Sequence, residues 1–335
     1  MTTKPESDTV GGISAIIQHK MPAAKPEEFI RYGYSTKGAP IYLHKPTGKR
    51  FVANGALPGR RIPPEQVGDA VGMFYEGLST EQIRRNFGQK HGFYPSTATV
   101  YEWIVDYTNL AKDRMRQFKA HTGETWVCDE MVLKVGGKKY WNWNVMDADT
   151  RFLLATRLSA TRGSRDAELV LKKARLVAAR RPRFVVSDRL SSYVDGVERA
   201  FGAGVHHIPA DGIRAEVNNN LSERLQGTIR ARSKVMRGLK SQRTAQLILD
   251  GWTIHYNYFR PHESLGRDRT PALAAGIEAP YENWLQIAHQ DVRPFSRKRG
   301  VFERERVLKN RLLGKQRPSE RMPKIYLFRT RRGGL

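Results

Sequence analysis

The stretch Glu124-Thr-Trp-Val-Cys-Asp-Glu130 indicates the kind of fold, because β-branched and aromatic residues lead up to the carboxylate of Asp129. We predict that Asp129 ends a short apolar strand. The apolar pattern resumes over residues 132–135 and stops at Gly136-Gly137, a sequence typical of a two-residue hairpin turn. A second strand is therefore expected over residues 138–146, and a turn then leads into a third strand.

After the third strand the sequence changes to helical periodicity. Ser164 is a suitable N-cap, and Pro182 is expected to end this helix. The apolar run 184–186 is too short for a helix, so it predicts a buried strand that places Asp188 at its carboxyl end. A further helix, a short strand and a polar loop precede a long helix that carries Glu223. The sequence thus predicts a mixed βββαβαβα domain, with the third strand at 152–156, the second helix at 191–201 and the last strand at 205–208.

Three acidic residues, Asp129, Asp188 and Glu223, are candidates for one metal site. Strands and an adjoining helix can gather carboxylates from distant parts of a sequence, and hard cations such as Mg²⁺ prefer oxygen ligands. On the predicted long helix, apolar residues form one stripe, while Glu223 shares another stripe with basic residues. We interpret the second stripe as a metal ligand flanked by phosphate contacts. The apolar residues are Leu221, Leu225, Ile229 and Met236, and the basic ones are Arg230, Lys234 and Arg237.

These residues resemble the DDE transposases and retroviral-type integrases, whose catalytic domain is RNase H-like. In this sequence 34 residues separate Asp188 from Glu223, and Arg230 lies seven positions after the glutamate. The similarity runs from about residue 62 to residue 277 and is greatest to prokaryotic insertion-sequence transposases with the 34-residue spacing. It extends through Asn218-Asn-Asn-Leu-Ser-Glu-Arg and His255-Tyr-Asn-Tyr-Phe-Arg-Pro-His.

The resemblance implies an enzyme that cleaves DNA at the terminal inverted repeats of a mobile element. The freed 3′ hydroxyl would then be joined to target DNA by metal-dependent transesterification. Two Mg²⁺ ions are implied, with Mn²⁺ as a substitute: Asp129 would bridge both, Asp188 would hold one and Glu223 the other. Arg230 would contact a phosphate near the scissile bond. Because two DNA ends must be held together, a homodimer or larger assembly is expected.

The charge of the chain indicates a polyanionic partner. Its 335 residues include 58 lysines and arginines against 33 acidic residues, which gives a net charge of +25. DNA is the expected partner, because no apolar run is long enough to cross a membrane. The single cysteine, Cys128, excludes an intramolecular disulfide framework and fits a reducing cytosol. We therefore expect a cytoplasmic, nucleoid-associated protein in which Cys128 is buried.

The N-terminal part of the sequence predicts two small modules. Residues 26–60 suggest a small β module at the position where some relatives of these transposases carry a zinc ribbon. His44 is the only Cys or His in it, so no zinc is expected. Residues 62–108 predict a helix-turn-helix with helices capped at Ser79 and Ser96. Its candidates for contact with base edges are Ser96, Thr97 and Thr99.

Other basic residues are candidates for sequence-independent DNA contact. Arg260 and His262 lie in a predicted polar turn after the helix that contains Trp252, whose indole we expect in the core. The last 45 residues hold 15 basic and 4 acidic residues, among them Arg297, Lys298 and Arg299, which suits a hold on phosphates. The remaining segments are a flexible arm (1–25), a linker helix (109–122), the RNase H-like catalytic domain (123–278) and a basic C-terminal extension (279–335).

Two alternative functions stay open from the sequence. One is a DNA-binding regulator of transposase origin that no longer cuts. The other is an RNase H-like nuclease that hydrolyses DNA without joining it. Other acids are weaker candidates for metal ligands: Glu130 should face away from Asp129 on the strand, and Asp147 and Asp149 lie in a predicted turn.

Overall fold

A small antiparallel sheet forms the N-terminal part of the protein. The computed structural model describes residues 13–14, 16–17, 23–35, 39–52, 62–210, 220–235 and 239–289. Phe29 and Tyr42 of the sheet are buried together with Ile16. Both ring nitrogens of His44 have protein partners, Thr47 Oγ1 at 2.8 Å and Glu28 Oε2 at 3.2 Å. The strands are β1 (Phe29–Tyr34), β2 (Pro40–His44) and β3 (Lys49–Val52).

Three helices follow, and local capping explains where two of them begin. The Ser79 hydroxyl accepts a hydrogen bond from the amide of Gln82, whose side chain in turn accepts from the Ser79 amide at 2.8 Å. The Ser96 hydroxyl accepts from the amide of Thr99 at 3.0 Å. Both predicted caps are therefore confirmed. The helices are α1 (Pro64–Glu76), α2 (Thr80–His91) and α3 (Thr97–Met115).

The linker helix predicted over residues 109–122 is not a separate element. Helix α3 continues without a break to Met115, because Leu110, Ala111 and Met115 are buried in the same hydrophobic core as the sheet described next. The hydroxyl groups of Tyr75 and Thr108 lie 2.6 Å apart in that core. The N-terminal helices and the following domain thus share one core.

The second sheet has five strands in the order β6-β5-β4-β7-β8. Strands β4, β5 and β6 are antiparallel neighbours, while β7 and β8 run parallel to β4. Gly136 and Gly137 join β4 to β5 with φ angles of 56° and 78°, so the predicted hairpin is confirmed. The strands are β4 (Thr125–Val135), β5 (Lys138–Asp147), β6 (Leu153–Ser159), β7 (Phe184–Ser187) and β8 (His206–Pro209).

Two predicted boundaries within this domain are wrong. Asp129 does not end a strand, because β4 runs on to Val135 and pairs with β5 along its whole length, with Asp129 opposite Asn144. The helix after β6 ends at Val177 rather than at Pro182. The chain leaves the helix there because Ala178 and Ala179 pair with Ala120, whose amide donates to Val177 O at 3.0 Å.

Helices pack on the sheet and continue the βββαβαβα order that the sequence predicts. Leu225 and Ile229 are buried and Leu221 is partly buried, as expected for the apolar stripe of the long helix, whereas Met236 lies outside the described residues. Ser241 caps the next helix by accepting from the Thr244 amide. The helices are α4 (Ser164–Val177), α5 (Ser191–Phe201), α6 (Asn220–Val235), α7 (Gln242–Ile254), α8 (Pro271–Ala274) and α9 (Trp284–His289).

Residues 279–289 belong to the core rather than to a C-terminal extension. Trp284 is buried and stacks on Tyr75 with ring centroids 5.0 Å apart, and its Nε1 donates to His255 Nδ1 at 3.3 Å. Gly68 lets α9 approach α1, since a Cβ on it would lie 2.5 Å from Leu285 Cα. Trp252 is also buried, as the sequence predicts.

None of the helices in the described ranges combines the length and the apolar character needed to cross a membrane.

Candidate active site

The acidic residues Asp129 and Asp188 come together because β4 and β7 are neighbouring parallel strands. Val127 pairs with Val186, so Asp129 and Asp188, each two residues further along, reach the same edge of the sheet. Asp188 directly follows the last residue of β7, as predicted. Carboxylate oxygens of Asp129, Glu130 and Asp188 lie within 4.8 Å of one another. The sheet register therefore builds a compact acidic cluster.

Asp129 is the most buried member of the predicted trio. Its Oδ1 accepts from the Glu130 amide at 2.8 Å and its Oδ2 accepts from Gln226 Nε2. Burial, followed by the negative charges of Glu130 and Asp188, raises the pKa of Asp129 to about 7. A cation bound next to Asp129 would stabilise the charged form of this carboxylate.

Asp188 is the solvent-accessible member of the acidic cluster. About 41% of its side chain is exposed, its Oδ1 accepts from the Leu190 amide at 3.1 Å, and Arg162 Nη2 lies 3.7 Å from its Oδ2. One face of the cluster is therefore open to solvent at Asp188.

The expectation that Glu130 faces away from Asp129 is wrong. Although adjacent residues alternate along a strand, the longer Glu130 side chain returns to the cluster, because two groups hold its carboxylate there. Arg162 Nε donates to Oε1 at 2.7 Å, and the Tyr193 hydroxyl donates to Oε2 at 2.9 Å. Sequence reasoning missed Arg162 and Tyr193 because no local pattern connects them with residue 130.

Glu223 lies in the first turn of α6 and is exposed, outside the group of carboxylates that meet within 4.8 Å. Gln226, one turn later, instead reaches the site and donates to Asp129 Oδ2 and, at 3.2 Å, to Glu130 O. Arg230 Nη2 donates to Gln226 Oε1 at 2.9 Å. Gln226 is a site residue that the sequence did not single out. Its position three residues after Glu223, on the same helix face, was the available signal.

The cluster suits a hard divalent cation. It offers carboxylate oxygens in a small, partly buried volume, and such oxygens are the ligands that Mg²⁺ prefers. The neighbouring Asp147 is different, because its carboxylate accepts from the amides of Gly123 and Thr150 and from the Thr150 hydroxyl. Asp147 therefore stabilises the turn after β5, but it is the last residue of that strand and not part of the turn, where the sequence placed it.

Two residues predicted to contact DNA line one groove. Thr97, at the start of α3, and Lys234, near the end of α6, lie on a groove of about 960 Å³. Arg85 and Lys240 add positive charge to its walls, and the first turns of α2 and α7 border it. The Ser96 and Thr99 hydroxyls, 2.9 Å apart, form the N-terminal cap of α3.

The other predicted DNA contacts differ in their surroundings. Arg260 is exposed, and His262 is partly buried in a small cavity that Arg151 and Arg224 also line. Burial and the charges of Arg151, Arg260 and Arg224 lower the pKa of His262, which disfavours the charged form of its ring. Arg237, Arg297, Lys298 and Arg299 lie outside the described residues.

Comparison with known proteins places a family domain over this site. Residues 123–262 match a family model described as a DDE domain. No curated protein matches the sequence. Among solved structures, the chain is similar to the HTLV-2 integrase catalytic core domain in complex with magnesium, in its trimeric form. The identity is 13% and the TM-score 0.36, over 48% of this chain and 98% of that one. A chain of the simian T-cell lymphotropic virus intasome in complex with PP2A regulatory subunit B56 gamma is also similar, with 14% identity, a TM-score of 0.35, and coverage of 69% and 78%.

Proposed function

We propose that the protein is a transposase of a prokaryotic insertion sequence, because residues 123–262 match a family model described as a DDE domain. It would bind the terminal inverted repeats of its element, cleave the DNA there and join the 3′ hydroxyl to target DNA. Both steps are phosphodiester transfers, in which a bound divalent cation supplies charge neutralisation at phosphorus.

The meeting of Asp129 with Asp188 is the observation that carries the proposal. The two residues lie 59 positions apart in sequence, yet the β4–β7 register aligns them. Asp129 is rigidly held in mid-strand, while Asp188 faces solvent, where a DNA phosphate can approach. These two carboxylates would hold Mg²⁺ or Mn²⁺.

Glu223 is proposed as the third ligand. It lies three residues before Gln226, and residues three apart are neighbours on a helix surface. Since Gln226 already touches Asp129, the Glu223 side chain starts about one helical turn from the cluster. In this arrangement Arg230 supports Gln226, which orients Asp129.

DNA would be bound by the N-terminal helices together with α6. The groove of about 960 Å³ brings Thr97 of α3 and the cations Arg85, Lys234 and Lys240 to one surface. Among the described ion pairs none involves these three cations, so their charge is available to a polyanion. Helices α2 and α3 fit the part of a helix-turn-helix in this proposal, with Ser96 and Thr99 placing the start of α3. Because two element ends react together, the active form would be a homodimer or larger assembly.

The direct test is cleavage of the element's own ends. The protein is incubated with Mg²⁺ and a duplex that carries the repeats bracketing its coding sequence, and nicked and joined products are separated on denaturing gels. We expect specific nicks at the repeat and, with a pre-cut end and a second duplex, joined products. Asp188→Asn should abolish both while leaving binding unchanged, because it keeps the side chain's shape and removes its charge.

A second candidate is a DNA-binding regulator that no longer cuts. The position of Glu223, exposed and outside the carboxylate cluster, favours it. Binding of the repeats without any Mg²⁺-dependent cleavage by the wild type would establish this alternative. Cleavage without joined products would instead indicate a nuclease.

A further inference from the structure

Arg162 lies at the rim of the acidic cluster, in the loop between β6 and α4. Its Nε donates to Glu130 Oε1 at 2.7 Å, and its Nη2 donates to the same oxygen. Nη2 also lies 3.7 Å from Asp188 Oδ2. The guanidinium carbon is 4.5 Å from the centroid of the Trp141 ring, a cation–π distance. Glu130 of β4 and Trp141 of β5 therefore hold one guanidinium beside Asp188.

Glu130 is a rigid base for this arginine. Its side chain is only 1% exposed, and its second oxygen accepts from the hydroxyl of the buried Tyr193 at 2.9 Å. The Ser192 hydroxyl donates to Arg162 O at 3.2 Å and holds the loop to the start of α5. Both the side chain and the backbone of Arg162 are thus anchored.

A buried carboxylate at position 130 destabilises the fold unless a positive charge compensates it. It is buried next to two other acids, and an uncompensated buried charge is strongly destabilising. Arg162 supplies the compensating charge, and its side chain is 37% exposed beside the open face at Asp188.

Arg162 also has unused donors on that face. A guanidinium carries five N–H groups, and Glu130 Oε1 engages Nε and Nη2. Asp188 at 3.7 Å is within ion-pair range but beyond a hydrogen bond. Among the described residues, no other side-chain acceptor is recorded for this guanidinium. Its planar donor edge matches the geometry of phosphate oxygens.

We propose that Arg162 donates to a non-bridging oxygen of the DNA phosphate that reacts at Asp129 and Asp188, and that Glu130 and Tyr193 are positioning residues for it. The inference rests on the proposed phosphodiester transfer. Arg230, which the sequence suggested for phosphate contact, reaches the site through Gln226, to whose Oε1 its Nη2 donates. Arg162 itself lies at the open carboxylate, with its Nη2 3.7 Å from Asp188 Oδ2.

The experiment compares Arg162→Ala, Arg162→Lys and the control Arg165→Ala on end-cleavage of a duplex carrying the element repeat. Arg165 lies three residues later, is 69% exposed and pairs with Glu168 at 2.9 Å, so its loss removes the same charge away from the site. We expect Arg162→Ala to lower the single-turnover cleavage rate about 10²-fold, the range for loss of one preorganised donor to a reacting oxyanion. DNA affinity should change less than threefold, and Arg165→Ala should cleave like the wild type.

Two further measurements separate direct contact from damage to the metal site. Mg²⁺ titration of the DNA-free protein by calorimetry should give equal or tighter binding in Arg162→Ala, because a cation near Asp188 is removed. A methylphosphonate at the scissile position replaces one non-bridging oxygen with a methyl group and so removes the charge. The stereoisomer that lacks the oxygen bound by Arg162 should strongly slow cleavage by the wild type. It should slow Arg162→Ala little further, because that variant has already lost the contact.

The outcomes distinguish this inference from the proposed function. If the wild type does not cleave, the transposase proposal itself fails. If the wild type cleaves and Arg162→Ala stays within threefold of it, or if weaker Mg²⁺ binding explains the loss, Arg162 is not a phosphate donor. Should Arg162→Ala fail to fold, Arg162→Lys decides. It keeps the charge but lacks the planar fork that donates twice to Glu130 and still has N–H groups left for a phosphate, so wild-type cleavage by it would refute the inference.

Discussion

Asp129 is predicted to destabilise the metal-free protein, and Asp129→Asn to stabilise it. The pKa of this carboxyl is raised to about 7 from an ordinary value of 3.8, mainly by burial. Between these values the folded protein binds more protons than the unfolded chain, so stability is lost as pH rises from about 4 through 7. At about 1.4 kcal/mol per pKa unit, the loss is about 4 kcal/mol at pH 8 and about 2 kcal/mol at pH 5.5.

The substitution removes the titrating group. The side-chain amide introduced at position 129 can still accept from the Glu130 amide. If the Gln226 amide turns over to accept from the new side-chain N–H, its bonds to Glu130 O and Arg230 are lost, a cost that does not change with pH. Urea unfolding in EDTA at pH 5.5 and pH 8 measures the difference between variant and wild type. We expect the advantage of Asp129→Asn to grow by about 2 kcal/mol between the two pH values.

Two comparisons sharpen this measurement. Asp188→Asn removes the same charge from a side chain that is 41% exposed, so it should stabilise the protein less. Saturating Mg²⁺ should stabilise the wild type at pH 8 and leave Asp129→Asn unchanged, since a ligand that binds only the folded state adds stability. A variant that is less stable than the wild type at pH 8, with no pH-dependent gain, would refute the reasoning.

Three other predictions concern the surroundings of the site. Truncation after residue 278 should unfold the protein, because the indole of Trp284 fills the core against α1. For the same reason, Trp284→Ala should lower the free energy of unfolding measured with urea by about 3–5 kcal/mol. A soluble 1–278 fragment that unfolds cooperatively would contradict this. Gln226→Ala should raise the pKa of Asp129 further, because the Gln226 hydrogen bond lowers it, and should weaken Mg²⁺ binding several-fold at pH 7. In calorimetric titrations, the difference in Mg²⁺ affinity between variant and wild type should disappear above about pH 8.5. Lys234→Ala should reduce the slope of log K for DNA binding against log salt concentration by about one unit in anisotropy titrations. An unchanged slope would show that Lys234 does not contact DNA.

The strand and helix order from β4 to α6 follows from local sequence, whereas the extent of these elements does not. Gly136-Gly137 specify a hairpin by themselves, and Ser79, Ser96 and Ser241 each begin a helix through a bond to a residue three positions later. By contrast, β4 continues past Asp129 and α3 continues past residue 108 because distant elements cover them. Tertiary burial decides those ends.

The candidate site divides in the same way. Asp188 was predictable because a short apolar strand leads directly to it, and Asp129 because of its motif. Gln226, Arg162 and Tyr193 were not, since each acts through a contact with residues 32 to 97 positions away in sequence. Such contacts exist only once the strand register is set. Glu223 remains a prediction of its motif.

Helix α6 connects the acidic cluster with the groove. Near its start Gln226 touches Asp129, and eight residues later Lys234 lines the groove beside α3. At 1.5 Å per residue these two positions are about 12 Å apart along the helix, or three to four nucleotides of a DNA strand. Arg232, between them, is buried with its guanidinium 3.9 Å from the centroid of the Phe74 ring, which fastens α6 to α1. In the proposed function, one helix would therefore set the distance between the nucleotides bound in the groove and the nucleotide that reacts, and cleavage would fall at a fixed distance from the bound segment.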